Sequence, residues 1–324
     1  MRIDQLATWL SDKDDIAVIS HVSPDGDAIG SALAVKHAFD KLGKRSCVVL
    51  AEPVPEKYMF VPGAQDICCP EKLPFVPKCA FAVDVSDIKR MGSALQVFNA
   101  AEAKAALDHH GTNSGFGDIW YVEGDRASTG ELAMELIKIM GVKPDKTIAD
   151  CVFVALCTDS GNFNYSNTDQ RAYAMAGECV KYGVDVEYLT RKSFRERSLA
   201  AAKLLGDALS RINTACEGKI AYSYVDNAML EKAGAKLEDA NRICNYLNEI
   251  TGVKIGVYFE QRGENTKVSW RAACGIDVAA IAGIFSGGGH SAAAGATVFA
   301  GMDEAIPQVI KVTEEALKGF EATC

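Results

Sequence analysis

Three side chains able to bind a metal ion fall within seven positions in ISHVSPDGDAIGS, residues 19–31: His21, Asp25 and Asp27. Further on, Asp84 ends CAFAVD, Asp108 ends AKAALD with His109 and His110 directly after it, and Asp159 lies in TDSGNF. Each residue alone has a plainer role. Asp25 and Asp27 suit a turn or a helix N-cap, with Asp27, just before AIGSALAV, well placed to cap. Asp84 can cap a following helix, and Asp159 can sit in a helix C-terminal turn. An EF-hand is the poorer reading of DGD, because a third oxygen ligand should follow and Ile29 stands in its place. Taken jointly, the aspartates would repel one another strongly at one sheet edge unless cations compensated them. Carboxylates spaced i, i+2 in an extended loop point to different sides, so one tight loop can serve two neighbouring cations. Carboxylates with imidazoles and no matching thiolate set suit Mn²⁺ better than structural zinc, and better than Mg²⁺. Two such ions about 3.5–4 Å apart activate a water and clamp a phosphate for in-line attack. The chemistry predicted is hydrolysis of a phosphoester or phosphoanhydride.

The elements that must position these groups can be read from hydrophobic periodicity. IAVIS (16–20), SCVVLA (46–51), CAFAVD and AKAALD read as buried strands, AIGSALAVKHAFDKLG as a helix closed by Gly43, and GELAMELIKIM as another helix. This alternation predicts an α/β domain with a mostly parallel, doubly wound sheet, whose ligands gather beyond the carboxyl ends of the strands. Three of the strands end on metal-grade residues, and three of the five histidines sit there. His37, inside a helical pattern, takes the plain reading. IADCVFVALCTDSGNF is ambiguous, but its apolar run exceeds strand length and favours a helix ending near Thr158. TDQRAYAMAGECVKYGVD and VEYLTRKSFRERSLAAAKLLGDALSRI look helical, with a domain boundary near Arg191 to Arg197. A smaller α/β domain follows: strand IAYSYV, a helix around LEDANRICNYLNEI, strands VKIGVYFEQR and TKVSWRAA, and a glycine-rich turn holding His290.

Bulk composition narrows the partners. The chain has 324 residues, 48% hydrophobic and 24% charged, enough for about two folded domains. Its formal charge of −9 removes general attraction to long nucleic acids, yet leaves room for a small anion held by a cation or a few basic groups. The eleven cysteines show no C-x-x-C pair, so reduced, mostly buried thiols are expected. With no signal-peptide core at the N-terminus and no apolar run near the roughly 18 residues of a membrane span, a cytoplasmic protein without membrane contact is expected.

HVSPDGDAIGS, VDVSD, DHH and TDSGNF occur in the order and spacing of the four motifs of the DHH phosphoesterase superfamily, which the chain resembles. VSWRAA and IFSGGGHSAAAGA resemble the glycine-rich end of the DHHA1 substrate-binding domain, though SAAAGA replaces bulkier residues often seen there. The resemblance covers residues 14 to 298. It implies a DHH catalytic domain over 1–188, a helical linker over 189–214 and a DHHA1 domain over 215–324. Within the superfamily the chain is most similar to the bacterial NrnA group, which implies hydrolysis of short RNA oligonucleotides and of 3′-phosphoadenosine 5′-phosphate (pAp). It implies two Mn²⁺ ions, the first on His21 and Asp25, the second on Asp27, His109 and Asp159, with Asp84 bridging. His110 would position the scissile phosphate or protonate the leaving oxygen, and Asp108 would orient the histidines from outside. In the second domain Arg271 and Gly287, Gly288, Gly289 and His290 would grip the far nucleotide. STGE (128–131) resembles a helix-start segment of the family and is read as an N-cap with Ser128 or Thr129. Linear or cyclic dinucleotides (pApA, cyclic di-AMP) are the alternative substrates; a pyrophosphatase or a non-catalytic nucleotide sensor ranks lower, and a homodimer is left open.

Overall fold

The structure is a computed structural model that describes residues 2–240, 243–272 and 275–323. The chain divides into two compact units, Met1–Glu196 and Arg197–Cys324. The first contains α1 (Ile3–Ser11), β1 (Ile16–Ile19), α2 (Gly26–Lys41), β2 (Ser46–Val49), β3 (Cys79–Val83), α3 (Leu95–Ala100), β4 (Ala103–Asp108), β5 (Ile119–Val122), α4 (Thr129–Ile139), α5 (Lys146–Asp159), α6 (Gln170–Lys181) and α7 (Val186–Thr190).

Among the described residues, five strands of this unit form a wholly parallel sheet in the order β2-β1-β3-β4-β5. Its strands are apolar on both faces, as a parallel sheet covered on both sides requires. Ile16, Val18, Phe81 and Leu107 turn into a core shared with α1, α2, α4 and α5, while Ala17, Ile19, Ala80, Ala82 and Ala106 face the segment carrying Met91 and Phe98. β5, IWYV, was not anticipated; it is a short edge strand with only Ile119 buried. The order reverses between β1 and β3, the point where open α/β sheets bind ligands. β1, β3 and β4, the strands leading to His21, Asp84 and Asp108, are adjacent there, so about 10 Å of sheet edge carries all three strand ends.

The ambiguous run at 148–163 is helical as far as Asp159, close to the expected end at Thr158: α5 is buried from Ile148 through Cys157 because it packs against both α2 and α4. The contact is close. A Cβ on Gly30 would lie 2.4 Å from the Cys151 carbonyl oxygen, and one on Gly130 would lie 2.6 Å from Ala155 Cβ. One expectation fails at the end of α2. Asp25, not Asp27, is its N-cap, accepting from the amides of Asp27 and Ala28 at 3.0 Å each, because Asp27 is bonded elsewhere. The stretch from Val186 is also not one helix. α7 runs into a wide turn, Arg191–Arg195, Glu196 is extended, and the chain restarts where Ser198 caps the next helix through the Ala201 amide at 2.9 Å.

The second unit contains α8 (Leu199–Ser210), β6 (Asn213–Ala215), β7 (Ile220–Val225), α9 (Asn227–Ala233), α10 (Ile243–Asn248), β8 (Ile255–Arg262), β9 (Asn265–Ala272), α11 (Val278–Ile284), β10 (Gly288–His290), β11 (Ala293–Val298) and α12 (Met302–Thr323). Its sheet has the order β10-β11-β9-β8-β7-β6 and is antiparallel except between β7 and β8. Trp270 is fully buried between this sheet and α12, its indole N–H donating to Thr313 Oγ1 at 3.1 Å. Two expectations change here. The glycine run is not only a turn, since Gly288 to His290 pair with β11. The helix expected around LEDANRICNYLNEI is a short 3₁₀ turn, Leu237–Ala240, followed by α10; Asn241 and Arg242 lie outside the described residues. Among the described residues, no helix is long and apolar enough to cross a membrane.

Candidate metal centre

The carboxyl edge of the parallel sheet gathers its polar residues into three overlapping groups, within each of which the ligand atoms lie within 4.8 Å: His21, Asp25 and Asp84; Asp27, His109 and Asp159; and Asp84, His109 and His110. His21 follows β1, Asp84 follows β3, and Asp108 ends β4 directly before the two histidines. Asp25 and Asp27 open α2, and Asp159 is the last residue of α5. Asp84 holds a left-handed backbone (φ 59°) while its N–H still bonds the Leu107 carbonyl at 2.9 Å. The residue thus turns out of the sheet without leaving the ladder, a strain of the kind found at functional positions.

Hydrogen bonds decide which atoms remain for a ligand. His21 Nδ1 lies 2.8 Å from the Val22 carbonyl and His109 Nδ1 lies 3.0 Å from the Arg126 carbonyl. A proton on each Nδ1 leaves both Nε2 lone pairs pointing into the centre, where His21 Nε2 is 3.5 Å from Asp84 Oδ2 and His109 Nε2 is 3.6 Å from Asp27 Oδ2 and 3.5 Å from Asp159 Oδ2. His110 differs. Its Nδ1 is given to Asp108 Oδ1 at 2.8 Å, so this nitrogen is not a metal donor although it lies 3.6 Å from Asp84. Asp108, fully buried, also accepts from the His109 amide at 2.9 Å and from Asn113 Nδ2 at 2.7 Å. Asp108 belongs to none of the three groups, and its Oδ1 bonds the His110 ring and the His109 backbone.

A carboxylate accepts about four hydrogen bonds. Asp27 has three filled: Oδ1 by the Ser31 hydroxyl at 2.6 Å and the Gly130 amide at 3.1 Å, Oδ2 by the Thr129 amide at 2.7 Å. The remaining position is on the oxygen nearest His109, so Asp27 can serve one ion through one oxygen. Among the described residues Asp84 accepts the Thr129 hydroxyl, at 2.9 Å on Oδ1, which leaves one position on Oδ1 and both on Oδ2; Oδ2 faces His21 and Oδ1 lies 3.8 Å from His109 Nε2. That arrangement suits a bridge.

The electrostatics call for positive charge. Asp27 and Asp84 are each 1% exposed. Burial, then the nearby Asp84, pushes the Asp27 carboxyl well above the usual range. Burial and the charges of Asp25 and Asp84 bring Asp159 up to about 7, against the pull of His109. Burial opposes protonation of His109, yet Asp27, Asp84 and Asp159 outweigh it and raise the ring to about 9. Asp84 goes the other way: burial disfavours its charge, but the His21 contact, with His109 and His110, holds it well below the carboxylate range. Protons thus do what a cation would do better. The donors are carboxylate oxygens and imidazole nitrogens; none of the thiols belongs to these groups among the described residues. The residues fit hard or borderline divalent ions.

The reading from sequence missed Thr129, Gly130, Ser31 and Asn113. Ser128 occupies the N-cap position of α4, but its hydroxyl makes no capping bond. The first amides of α4 go instead to Asp27, 102 and 103 residues earlier in the chain. A local capping rule has no access to such a partner.

In the second unit, Arg271 on β9 is half-buried; among the described residues it donates to the carbonyl of the preceding Trp270 at 2.9 Å and has no carboxylate partner. Elsewhere in this unit Arg211 donates to the Tyr224 hydroxyl and Arg262 to Glu260. Ala293 pairs with Arg271 on one side and with His290 on the other, which sets the glycine run two strands from the arginine; the His290 side chain lies outside what is described. A Cβ on Gly287 would meet the Gly295 carbonyl at 2.3 Å, and one on Gly289 (φ 145°) the Ala293 carbonyl at 2.5 Å, so strand packing alone explains both. Gly288 is exposed and would meet nothing within 4 Å.

With this geometry in hand, relatives can be placed beside it. Residues 15–156 match the DHH family, N-terminal domain, and residues 217–319 match the DHHA1 domain. The chain is 34% identical over 307 residues to the bifunctional oligoribonuclease and PAP phosphatase NrnA of Thermus thermophilus, covering 93% of this chain and 90% of that protein. The chain belongs to the DHH family. The NrnA of Bacillus subtilis is 26% identical over 318 residues, covering 93% and 94%. The fold of this DHH protein is similar to that of an exopolyphosphatase-related protein from Bacteroides fragilis, with a TM-score of 0.91 at 27% identity over 99% of this chain and 96% of the other. RecJ of Thermus thermophilus in complex with Mn²⁺ is similar in fold alone, with a TM-score of 0.58 at 14% identity over 98% of this chain and 55% of that one.

Proposed function

We propose that this DHH protein is a phosphoester hydrolase that uses two divalent cations, Mn²⁺ by preference, to cleave short RNA oligonucleotides and to dephosphorylate pAp. The observation that carries the reading is the meeting of two ligand groups at one carboxylate, Asp84, with Nε2 of His21 on one side and Nε2 of His109 on the other. His21 and Asp25 would hold one ion, Asp27, His109 and Asp159 the second, and Asp84 would bridge. Bound ions of this kind neutralise phosphate oxygens and lower the pKa of water. The chain's own groups do the rest. His110, with its Nδ1 proton engaged by Asp108, would present Nε2 to the substrate, placing the phosphate or protonating the leaving oxygen. Asp108 fixes that tautomer and stabilises the ring when it is charged. Arg271 and the exposed Gly288 backbone of the DHHA1 unit would take the phosphate of the distal nucleotide, the guanidinium through a bidentate fork. The relatives named as NrnA support this substrate class.

The test is turnover by purified protein with Mn²⁺ of pApA, pAp, cyclic di-AMP and pyrophosphate, each beside the Asp84→Asn variant. Turnover of pApA and pAp that falls at least about 100-fold in the variant is expected. Equal rates in the variant would refute the two-ion assignment. Pyrophosphate turnover without pApA turnover would refute the substrate class.

A further inference from the structure

We propose that Thr129 is a positioning residue that sets the orientation of the bridging carboxylate and thereby the spacing of the two ions; this rests on the two-ion reading given above. Thr129 is fully buried and is the first residue of α4. It makes two contacts to the centre from one position: its N–H donates to Asp27 Oδ2 at 2.7 Å and its hydroxyl to Asp84 Oδ1 at 2.9 Å. The two carboxylates belong to different ligand groups, so Thr129 ties those groups together without itself belonging to either.

The hydroxyl has a task that the amide cannot perform. The terminal torsion of an aspartate is broad, so the plane of its carboxylate turns easily unless something fixes it. Around Asp84 the neighbours with ligand nitrogens are His21 on the Oδ2 side at 3.5 Å and His109 on the Oδ1 side at 3.8 Å, which differ little. The Thr129 O–H is a donor aimed at Oδ1 alone. An ionised carboxylate can only accept, so this bond fixes the plane of the group and leaves one position on Oδ1 and both on Oδ2 for ions. The backbone N–H of the same residue, with that of Gly130, fills two positions of Asp27 and restricts it to one ion. Asp84 is therefore held ready to bridge, and Asp27 is prevented from bridging.

Thr129→Val keeps the branched shape and removes the donor; Thr129→Ser keeps the donor; Thr129→Ala removes both the donor and the methyl. The readouts are Mn²⁺ titration by calorimetry or electron paramagnetic resonance, the thermal midpoint without cation, and steady-state kinetics on pApA at saturating Mn²⁺. Thr129→Val should bind Mn²⁺ about 10–100-fold more weakly and lose kcat with KM within about threefold. Its cation-free midpoint should stay near that of the starting protein. Thr129→Ser should bind Mn²⁺ within about threefold of it. Unchanged Mn²⁺ affinity and stoichiometry in Thr129→Val would overturn the proposal. Should that variant not fold, Thr129→Ser and Thr129→Ala carry the test, and equal Mn²⁺ affinity in these two overturns it. A starting protein that binds no Mn²⁺ would refute the underlying two-ion reading instead, an outcome distinct from either.

Discussion

Adding a methyl group at Gly30 tests whether the contact between α2 and α5 is what aims the ligands. In a helix interior, Gly→Ala normally stabilises by about 0.5–1 kcal/mol through reduced backbone entropy of the unfolded chain. At Gly30 the new Cβ would stand 2.4 Å from the Cys151 carbonyl oxygen, 3.0 Å from the Ala155 nitrogen and 3.1 Å from Ala155 Cβ. Ordinary carbon contacts lie near ~3.5 Å, so the helices must part by about 1 Å. The obstacle is backbone and cannot turn aside, which places the overpacking cost toward the upper part of the usual range of about 1–3 kcal/mol. The net loss is about 1–2 kcal/mol, or about 2–8 °C in thermal midpoint for a unit of this size. Gly177 in α6 is the matched control: it is helical and exposed, and its Cβ would meet nothing within 4 Å. Gly177→Ala should therefore raise the midpoint by about 1–3 °C. The displacement also moves Asp27 against Asp159, each one helical turn from the contact, so pApA turnover should fall by up to about 100-fold in Gly30→Ala. Differential scanning calorimetry and a pApA assay measure both effects. If Gly30→Ala and Gly177→Ala shift the midpoint in the same direction, the close-packing argument fails.

Asp108→Ala should lower kcat by about 100-fold or more with little change in KM, since it releases the His110 tautomer; a normal kcat would remove Asp108 and His110 from the proton path. Arg271→Ala should raise KM for pApA about tenfold or more, and Arg271→Lys should not restore it because the fork is lost; full rescue by lysine would argue for a simple point charge. Mn²⁺ must compete with protons at His109, raised to about 9, and at Asp159, raised to about 7. Affinity should therefore rise from pH 6 to pH 9 with proton uptake by the buffer, measured by titration calorimetry in buffers of different ionisation enthalpy; pH-independent binding would contradict this protonation scheme. Chelation should lower the thermal midpoint, because an ion at 100 times its Kd stabilises by about 2.7 kcal/mol; equal midpoints in Mn²⁺ and in EDTA would exclude tight binding to the folded state.

The parallel sheet and the convergence of the acidic and imidazole side chains at its edge were legible because the strand ends that carry them are local signals. The strands IAVI, CAFAV and AKAALD are short apolar runs ending on polar residues, and parallel pairing carries their ends to one edge without further information. The edge strand β5 was harder to see, because Trp120, Tyr121 and Val122 are only partly buried and its alternation is weak. By sequence Asp27, just before AIGSALAV, is the better N-cap, yet the structure caps with Asp25. The choice between them is made by the amides of Thr129 and Gly130, which arrive from another helix and occupy Asp27. Asn113 escaped notice for the same reason: its partners, Asp108 Oδ2 and the Val85 carbonyl, converge only after β3 and β4 have paired. The glycine run divides in an instructive way. Gly287 and Gly289 are explained by contacts with β11 that no linear reading contains, whereas Gly288, paired with Gly295, has open space where a side chain would stand, so packing does not explain it.

α5 ends on Asp159 and carries no basic residue in its last turn. A helix C-terminus already bears partial negative charge, and a carboxylate there is adverse by about 0.3–1 kcal/mol. The backbone of this end is capped by the Ser160 amide, but the carboxylate charge has no basic partner in the last turn, and a captured cation would offset it. Ion capture and the order of the final turn become one equilibrium. Asn167, which donates to the Asp159 carbonyl at 3.2 Å and to the Ala127 carbonyl at 3.1 Å, extends that equilibrium to the segment 160–167 and to the start of α4. A cation bound there would be a folding partner of the helix ends, and amide exchange across that segment would record its arrival before any substrate is present.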